Sequence, residues 1–150
     1  MTALLDPEHP EAYRMIVVLR PYNSPVVVRL RLTSIGDAEC VVKVGRDGGH
    51  PYILTVNRAF EVPRLDGIKF VSLLQDAKFW SEPVKKPPGP RGFPVGDESW
   101  MLECNRAGNY HVVLRAVSEL GALKDPAVFL VIQLAGVDLR SLPVGPAAEK

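Results

Sequence analysis

The sequence predicts an α+β fold in which two helices pack on one face of a largely antiparallel sheet of about six strands. Two observations lead to this prediction. Several short segments alternate apolar and polar side chains with the period of two that is typical of strands. Two other segments, 63–80 and 126–135, repeat apolar residues at the three- and four-residue spacing of a helix. Because both kinds of apolar face must be buried, a two-layer sandwich follows.

The clearest pattern is the hairpin predicted over residues 97–116. Its even positions are apolar and would share one face: Trp100, Leu102, Cys104, Tyr110, Val112 and Leu114. A three-residue loop over 106–108 keeps that face together by pairing Cys104 with Tyr110. It also places Gly108 where a type I turn with a G1 bulge needs a positive φ. A two-residue loop would pair Cys104 with His111 and mix the faces, so the pattern favours the longer loop.

Four strands are predicted before this hairpin, over 13–20, 26–33, 38–44 and 52–56, the last extending less clearly to Phe60. A three-residue loop over 34–36 would join the second strand to the third, pairing Leu30 with Cys40 and setting Arg31 opposite Glu39. The glycine-rich segment 45–51 predicts a turn rather than a phosphate site, because no Gly-Lys-Ser/Thr motif follows it.

The first helix is predicted over 63–80, beginning at Pro63. Its apolar stripe contains Leu65, Ile68, Phe70, Val71, Leu73, Leu74 and Ala77. The second helix, over 126–135, is apolar nearly all round and should be well buried. We expect residues 1–150 to form a single domain, with an irregular lead-in over 1–12, a proline-rich surface loop over 81–96 and a loose tail over 141–150. The basic, proline-rich part of that loop also suggests a polyproline ligand, but a tethered surface loop is the better interpretation.

Composition excludes several classes of protein. Eighteen Lys and Arg against seventeen Asp and Glu give a net charge of +1, which argues against a general nucleic-acid binder. The apolar runs are too short to span a membrane, and the first residues do not resemble a signal peptide. Cys40 and Cys104 are predicted to be free, buried thiols of a cytoplasmic protein rather than a disulfide. Two Cys and three scattered His offer no zinc spacing, and we expect no cofactor.

Four fragments of the second half, 78–83, 96–103, 108–113 and 133–137, together resemble a group of small bacterial proteins with no settled activity. In that group a Phe-Trp–Pro helix end, an Asp-Gly–Trp–Leu-Glu strand, a Gly–Tyr-His–Val–Arg strand and a Leu–Leu-Ala-Gly helix follow in this order. This chain departs from the group at Glu98, where Gly is usual, and at Ala116-Val117, which replace a Trp-containing stretch. The resemblance implies a bacterial, cytoplasmic protein, and by analogy an accessory or immunity protein.

The outer face of the predicted sheet is the candidate site. It would collect Arg29, Arg31, Lys43, Met101, Glu103, His111, Val113 and Arg115. Arginine and apolar residues in a basic surround favour a surface that binds another protein. The leading hypothesis is therefore a non-catalytic immunity protein that binds a co-encoded toxin, with no nucleic acid or membrane as partner.

Two alternatives stay open. In the predicted register Glu103 lies opposite His111, and a carboxylate that orients a histidine can build a general base for a small hydrolase-type enzyme. The same face, however, is predicted to hold neither a Ser or Cys nucleophile nor a second nearby carboxylate. The other alternative is a homodimer that pairs through sheet edges.

Overall fold

The structure, a computed structural model, describes residues 11–19, 24–33, 37–45, 54–85 and 99–138. Its strands are β1 (Glu11–Leu19), β2 (Ser24–Leu32), β3 (Ala38–Gly45), β4 (Leu54–Val62), β5 (Ser99–Arg106) and β6 (Asn109–Ala116). Its helices are α1 (Arg64–Asp76) and α2 (Lys124–Val128), and α2 continues into a π-helical segment, Phe129–Leu134. Short 3-10 turns cover Phe79–Ser81, Val117–Glu119 and Gly121–Leu123.

All six strands belong to one antiparallel sheet in the order β4-β3-β2-β1-β5-β6. This confirms the predicted α+β class, the strand number and the two helices. The sheet combines a four-stranded meander with the C-terminal hairpin, which joins it where β5 pairs with β1. The predicted lead-in 1–12 is too long by two residues because β1 begins at Glu11; residues 1–10 and the predicted tail over 141–150 lie outside the described residues.

One face of the sheet, the inner face, carries the core. Its side chains include Tyr13, Met15, Val17, Val28, Leu30, Cys40, Val42, Leu102 and Cys104, each at most 3% exposed. The Tyr13 ring meets Phe70 of α1 edge to face, with 5.2 Å between ring centroids. Gly67 permits this close approach, because a Cβ at that position would lie 3.0 Å from Leu32 Cδ2. The cost of a helical glycine is therefore offset by packing.

The register of β2 on β3 is the one predicted. Leu30 lies opposite Cys40, and Val28 lies opposite Val42. Arg31 and Glu39 form the expected cross-strand ion pair, with 2.6 Å between Nη2 and Oε2. The predicted turn residues 34–36 lie outside the described part of the chain, as does all of the glycine-rich segment after Gly45.

The first helix is shorter than predicted and buries a different stripe. It ends at Asp76, and Lys78 adopts a left-handed φ of 53° before the 3-10 turn Phe79–Ser81. Phe70 and Leu74 are buried, whereas Leu65 is 78% and Ile68 54% exposed. The apolar residues of this helix span more than one face, and the close contact at Gly67 decides which face turns inward.

The second helix begins earlier than predicted and ends as a π-helix. Gly136, with a φ of 62°, follows it as the sequence pattern indicated. Arg58 of β4 donates a hydrogen bond from Nη2 to the carbonyl of Ala135. A cation therefore satisfies an otherwise unbonded carbonyl at the helix end and interacts favourably with the helix dipole.

The predicted register of the C-terminal hairpin is wrong by one residue. Its loop contains only Ala107 and Gly108, whose φ angles of 49° and 85° are those of a type I′ turn. Cys104 consequently faces His111, and Glu103 faces Val112. Because side chains alternate along a strand, this shift moves every residue of β6 to the opposite face from the one predicted.

Candidate functional site

The outer face of the sheet, on the side away from the helices, is built from cross-strand rows. One row is apolar and runs Val27, Ile16, Met101 and Leu114 across β2, β1, β5 and β6. The next row contains Val41, Arg29, Arg14, Glu103 and Val112. The third contains Glu61, Glu39, Arg31, Ala12, Asn105 and Tyr110. Most of these side chains are half-buried or exposed, in contrast to the fully buried inner face.

A hydrogen-bonded ion pair lies at the centre of this outer face. Arg14 donates from Nε to one carboxylate oxygen of Glu103, and the Tyr110 hydroxyl donates to the other over 2.8 Å. Glu103 itself is only 3% exposed. Partial burial and the hydrogen bond to Glu103 raise the pKa of Tyr110. Both oxygens of Glu103 are thus engaged in contacts that orient Arg14 and Tyr110.

Asn105 lies beside this ion pair, directly opposite Tyr110. Its side chain is 5% exposed, and its Oδ1 atom accepts no hydrogen bond from the residues that the structure describes. A buried acceptor without a donor costs about 1–3 kcal/mol. Solvent does not reach this atom, so it is an unsatisfied acceptor beneath the outer face and not a contact point on its surface.

Five of the eight residues predicted for the outer face lie there: Arg29, Arg31, Lys43, Met101 and Glu103. The other three predictions are wrong, because the corrected register turns His111, Val113 and Arg115 to the inner face. Val113 is 1% exposed and belongs to the core. In their place the outer face gains Tyr110, Val112 and Leu114, which sequence reasoning assigned to the core.

Arg115 binds a segment that covers the inner side of the hairpin. Its Nη1 donates to the carbonyls of Val84 (3.1 Å) and Leu114 (2.8 Å). Its Nη2 donates to the Pro83 carbonyl (2.8 Å) and to Glu82 Oε2 (2.9 Å). We call residues 82–85 the strap. Because this buried arginine has four acceptors, three of them in the strap, it holds the strap in place.

Three further contacts attach the strap to β6. The Leu114 amide donates to the Val84 carbonyl over 2.8 Å, and Lys85 forms an isolated parallel bridge with Leu114. His111 Nε2 lies 2.9 Å from the Glu82 carbonyl, which can only accept, so Nε2 donates. The first part of the predicted surface loop over 81–96 is therefore packed against the sheet, while residues 86–98 lie outside the described residues.

The proposed pair of Glu103 and His111 does not form. Glu103 pairs with Val112, and His111 pairs with Cys104, the next residue of β5. Glu103 therefore lies on the outer face and His111 on the inner face. The ring of His111 packs edge to face on Phe79, with centroids 5.0 Å apart, and its Nε2 is occupied by the strap. The cavity beside Arg115 measures only about 10 Å³ and has room for no more than a water molecule. The geometry thus contradicts the enzyme hypothesis that used these two residues.

A more open cleft lies at the other end of the sheet. It has a volume of about 510 Å³ and is lined by Thr33, Asp37, Ala38, Glu39, Ala59, Phe60, Glu61 and Val62. Glu39 and Glu61 lie directly opposite each other across β3 and β4. Like charges in this position repel, and the ion pair with Arg31 compensates only Glu39.

Both cysteines are free and lie on the inner face. Burial raises the pKa of Cys40 to about 11 and that of Cys104 to about 12, so neither thiol is activated as a nucleophile. Within the described ranges no three His, Cys, Asp or Glu residues are grouped so that they could hold a metal ion. Among the same residues, no helix has the length and hydrophobicity that a membrane span requires.

Comparison with known proteins adds no family to this picture. Neither the family models nor the curated proteins that were searched gave a match to this chain.

Proposed function

We propose that this protein is non-catalytic and binds another protein through the outer face of its sheet. The observation that carries the proposal is the apolar row of Ile16, Val27, Met101 and Leu114, which lies on the side of the sheet away from the helices. Interfaces commonly place apolar contacts at their centre and arginine and other polar groups around them. The neighbouring row, with Arg29 and the Arg14–Glu103 pair, supplies that polar surround.

The Arg14–Glu103 ion pair supports the same surface. Tyr110 already orients the pair of Arg14 and Glu103 before a partner binds. The side-chain entropy that these residues lose on binding is therefore smaller. The surface is thus partly preorganised for a partner.

The specific form of the proposal is an immunity protein that acts in the bacterial cytoplasm and neutralises a co-encoded toxin by direct binding. A broad sheet face suits a macromolecular partner better than a small substrate, which needs an enclosed pocket. The sequence resemblance to small bacterial proteins favours the same role by analogy.

The test is co-expression with the products of the neighbouring genes. We expect one of them to co-purify with this protein and to be toxic when it is expressed alone. Toxicity that persists in the presence of this protein would contradict the immunity role. Absence of a complex with every neighbouring product would contradict protein binding by this route.

A further inference from the structure

Strand β4 ends the sheet, and no strand among the described residues pairs with its outer edge. Within the described residues it pairs only with β3, whereas the outer edge of β6 at the other end receives the strap. β4 is nine residues long, and six of its side chains are exposed. A long edge strand of this kind presents unpaired backbone N–H and C=O groups to a strand of another chain.

The devices that usually protect such an edge are weak in the described part of β4. Its sequence, Leu54–Val62, contains neither Pro nor Lys, and its register on β3 shifts only between Val44 and Gly45, near one end. Arg58 is an inward-pointing charge, but it donates to the Ala135 carbonyl and lies 5.6 Å from the centre of the Phe60 ring. The cation is therefore held against its own chain instead of blocking the edge.

We propose that β4 pairs antiparallel with β4 of a second copy, about a two-fold axis at Ala59. This register sets Ala59 opposite its own counterpart and Asn57 opposite Glu61. It also sets Arg58 opposite Phe60 and Val56 opposite Val62, so inner-face residues meet inner-face residues. An axis at Arg58 or at Glu61 would instead oppose two like charges, which destabilises a strand pair.

Complementary charge and polarity support this register in particular. Glu61 already faces Glu39 across the β3–β4 pair. The Asn57 amide of the second copy can donate to Glu61 and reduce that repulsion. Arg58 keeps its contacts with its own Ala135 and Phe60, and the Phe60 ring of the second copy would lie directly opposite it, where a guanidinium and an aromatic ring attract each other. Both contacts occur twice because the interface is symmetric.

The dimer would extend the sheet without covering the outer face. A two-fold axis between antiparallel strands is perpendicular to the sheet, so the outer faces of both copies lie on the same side. This inference stands apart from the proposed function, because it uses the edge of β4 and none of the outer-face residues assigned to partner binding.

The test is symmetric disulfide formation in the full chain. Directly opposite residues in an antiparallel pair have Cα atoms about 4.5–5.5 Å apart, within the range that a disulfide spans. We expect Ala59→Cys to form a covalent dimer under mild oxidation. Asn57→Cys and Glu61→Cys should each stay monomeric alone, because each lies four residues from its own counterpart in this register. Mixing these two variants should give a cross-linked heterodimer.

Two controls make the result decisive. The native protein, whose thiols are buried, should form no covalent dimer under the same conditions. Without oxidant, light scattering should show a dimer for the native protein at high concentration and a monomer for Ala59→Lys, which sets two cations opposite each other. A native protein that is monomeric at every concentration would overturn the proposal, as would an Ala59→Cys variant that cross-links no faster than Asn57→Cys or a mixture that gives no heterodimer.

Discussion

Arg115 Nη2 lies 2.9 Å from Glu82 Oε2 on the covered side of the C-terminal hairpin. The Arg115 side chain is only 2% exposed. Its guanidinium also donates hydrogen bonds to three backbone carbonyls. The contact explains how β6 can place a charged residue on the inner face. Burial removes the water molecules that would accept hydrogen bonds from Arg115, and the strap supplies acceptors in their place. It also fixes which face of β6 is left for a partner.

Replacing Arg115 should therefore destabilise the fold and release the strap. We expect Arg115→Met to lower the free energy of unfolding by about 2–4 kcal/mol, because the carbonyls of Pro83 and Val84 lose their charged donor. Urea denaturation measures the loss. Hydrogen exchange at the Leu114 amide, which donates to Val84, should become faster in the variant.

Glu82→Gln is the matched control for this prediction. It removes the negative charge but keeps an oxygen acceptor for Arg115, and the Glu82 side chain is 31% exposed. The loss should be under about 1 kcal/mol. Equal losses in the two variants would show that the ion pair, and not the set of carbonyl acceptors, holds the strap.

The turn of the same hairpin offers a stabilising substitution. Ala107 has a φ of 49°, a conformation that costs an L-residue with a Cβ about 1–2 kcal/mol. Asn is the preferred first residue of a type I′ turn. Ala107→Asn should therefore raise the free energy of unfolding by about 0.5–1 kcal/mol, measured by thermal or urea unfolding.

Gly108→Ala is the companion variant. No atom lies within 4 Å of a Cβ built at Gly108, so any effect comes from its φ of 85° alone. We expect a loss of about 1 kcal/mol. If Ala107→Asn were destabilising and Gly108→Ala neutral, the two-residue loop and its register would be incorrect.

Stability should fall as the pH rises above the ordinary pKa of a thiol. Burial raises the pKa of Cys40 to about 11 and of Cys104 to about 12, and it raises the pKa of Tyr13 as well. Between pH 9 and 11 the unfolded chain loses protons that the folded chain retains. Each such group then lowers the free energy of unfolding by up to about 1.4 kcal/mol per pH unit.

Urea unfolding at pH 8, 9, 10 and 11 tests this dependence. The native protein should be stable to pH 9 and lose stability steadily above it. Cys104→Ala should begin from a lower stability and decline less steeply, because one of the titrating groups is gone. Identical slopes for the two proteins would show that Cys104 ionises in the folded state as it does in the unfolded chain.

Alternation along strands was sufficient to predict most of the sheet from the sequence. Val28, Leu30, Cys40 and Val42 alternate with the half-buried Val27, Arg29 and Val41, and the predicted loop over 34–36 then sets the register that is observed. Tyr110, Val112 and Leu114 alternate equally well, yet they lie outward. The pattern failed there because the strap buries Arg115 and binds the half-buried His111, and no local pattern indicated where the strap lies.

The residues of the candidate site were predicted correctly where the strand register was correct, and incorrectly in the C-terminal hairpin. Arg29, Arg31 and Lys43 lie in strands of correct register, so their face was foreseen. The Ala107-Gly108 dipeptide was the signal for the two-residue loop, but Ala is rare in such turns and the apolar alternation outweighed it. The Arg14–Glu103–Tyr110 network joins β1 to the hairpin across the chain, and sequence alone did not indicate that pairing.

Binding of a protein partner by the outer face is tested most directly by comparing two variants. Met101→Glu places a charge in the apolar row, whereas Ile68→Glu places the same charge on the exposed side of α1, where the native side chain is 54% exposed. The measurement is the affinity of each variant for the co-purified neighbouring gene product, by calorimetry. We expect Met101→Glu to weaken binding at least about tenfold and Ile68→Glu to bind like the native protein. Native affinity in Met101→Glu, or a loss confined to Ile68→Glu, would contradict the claim.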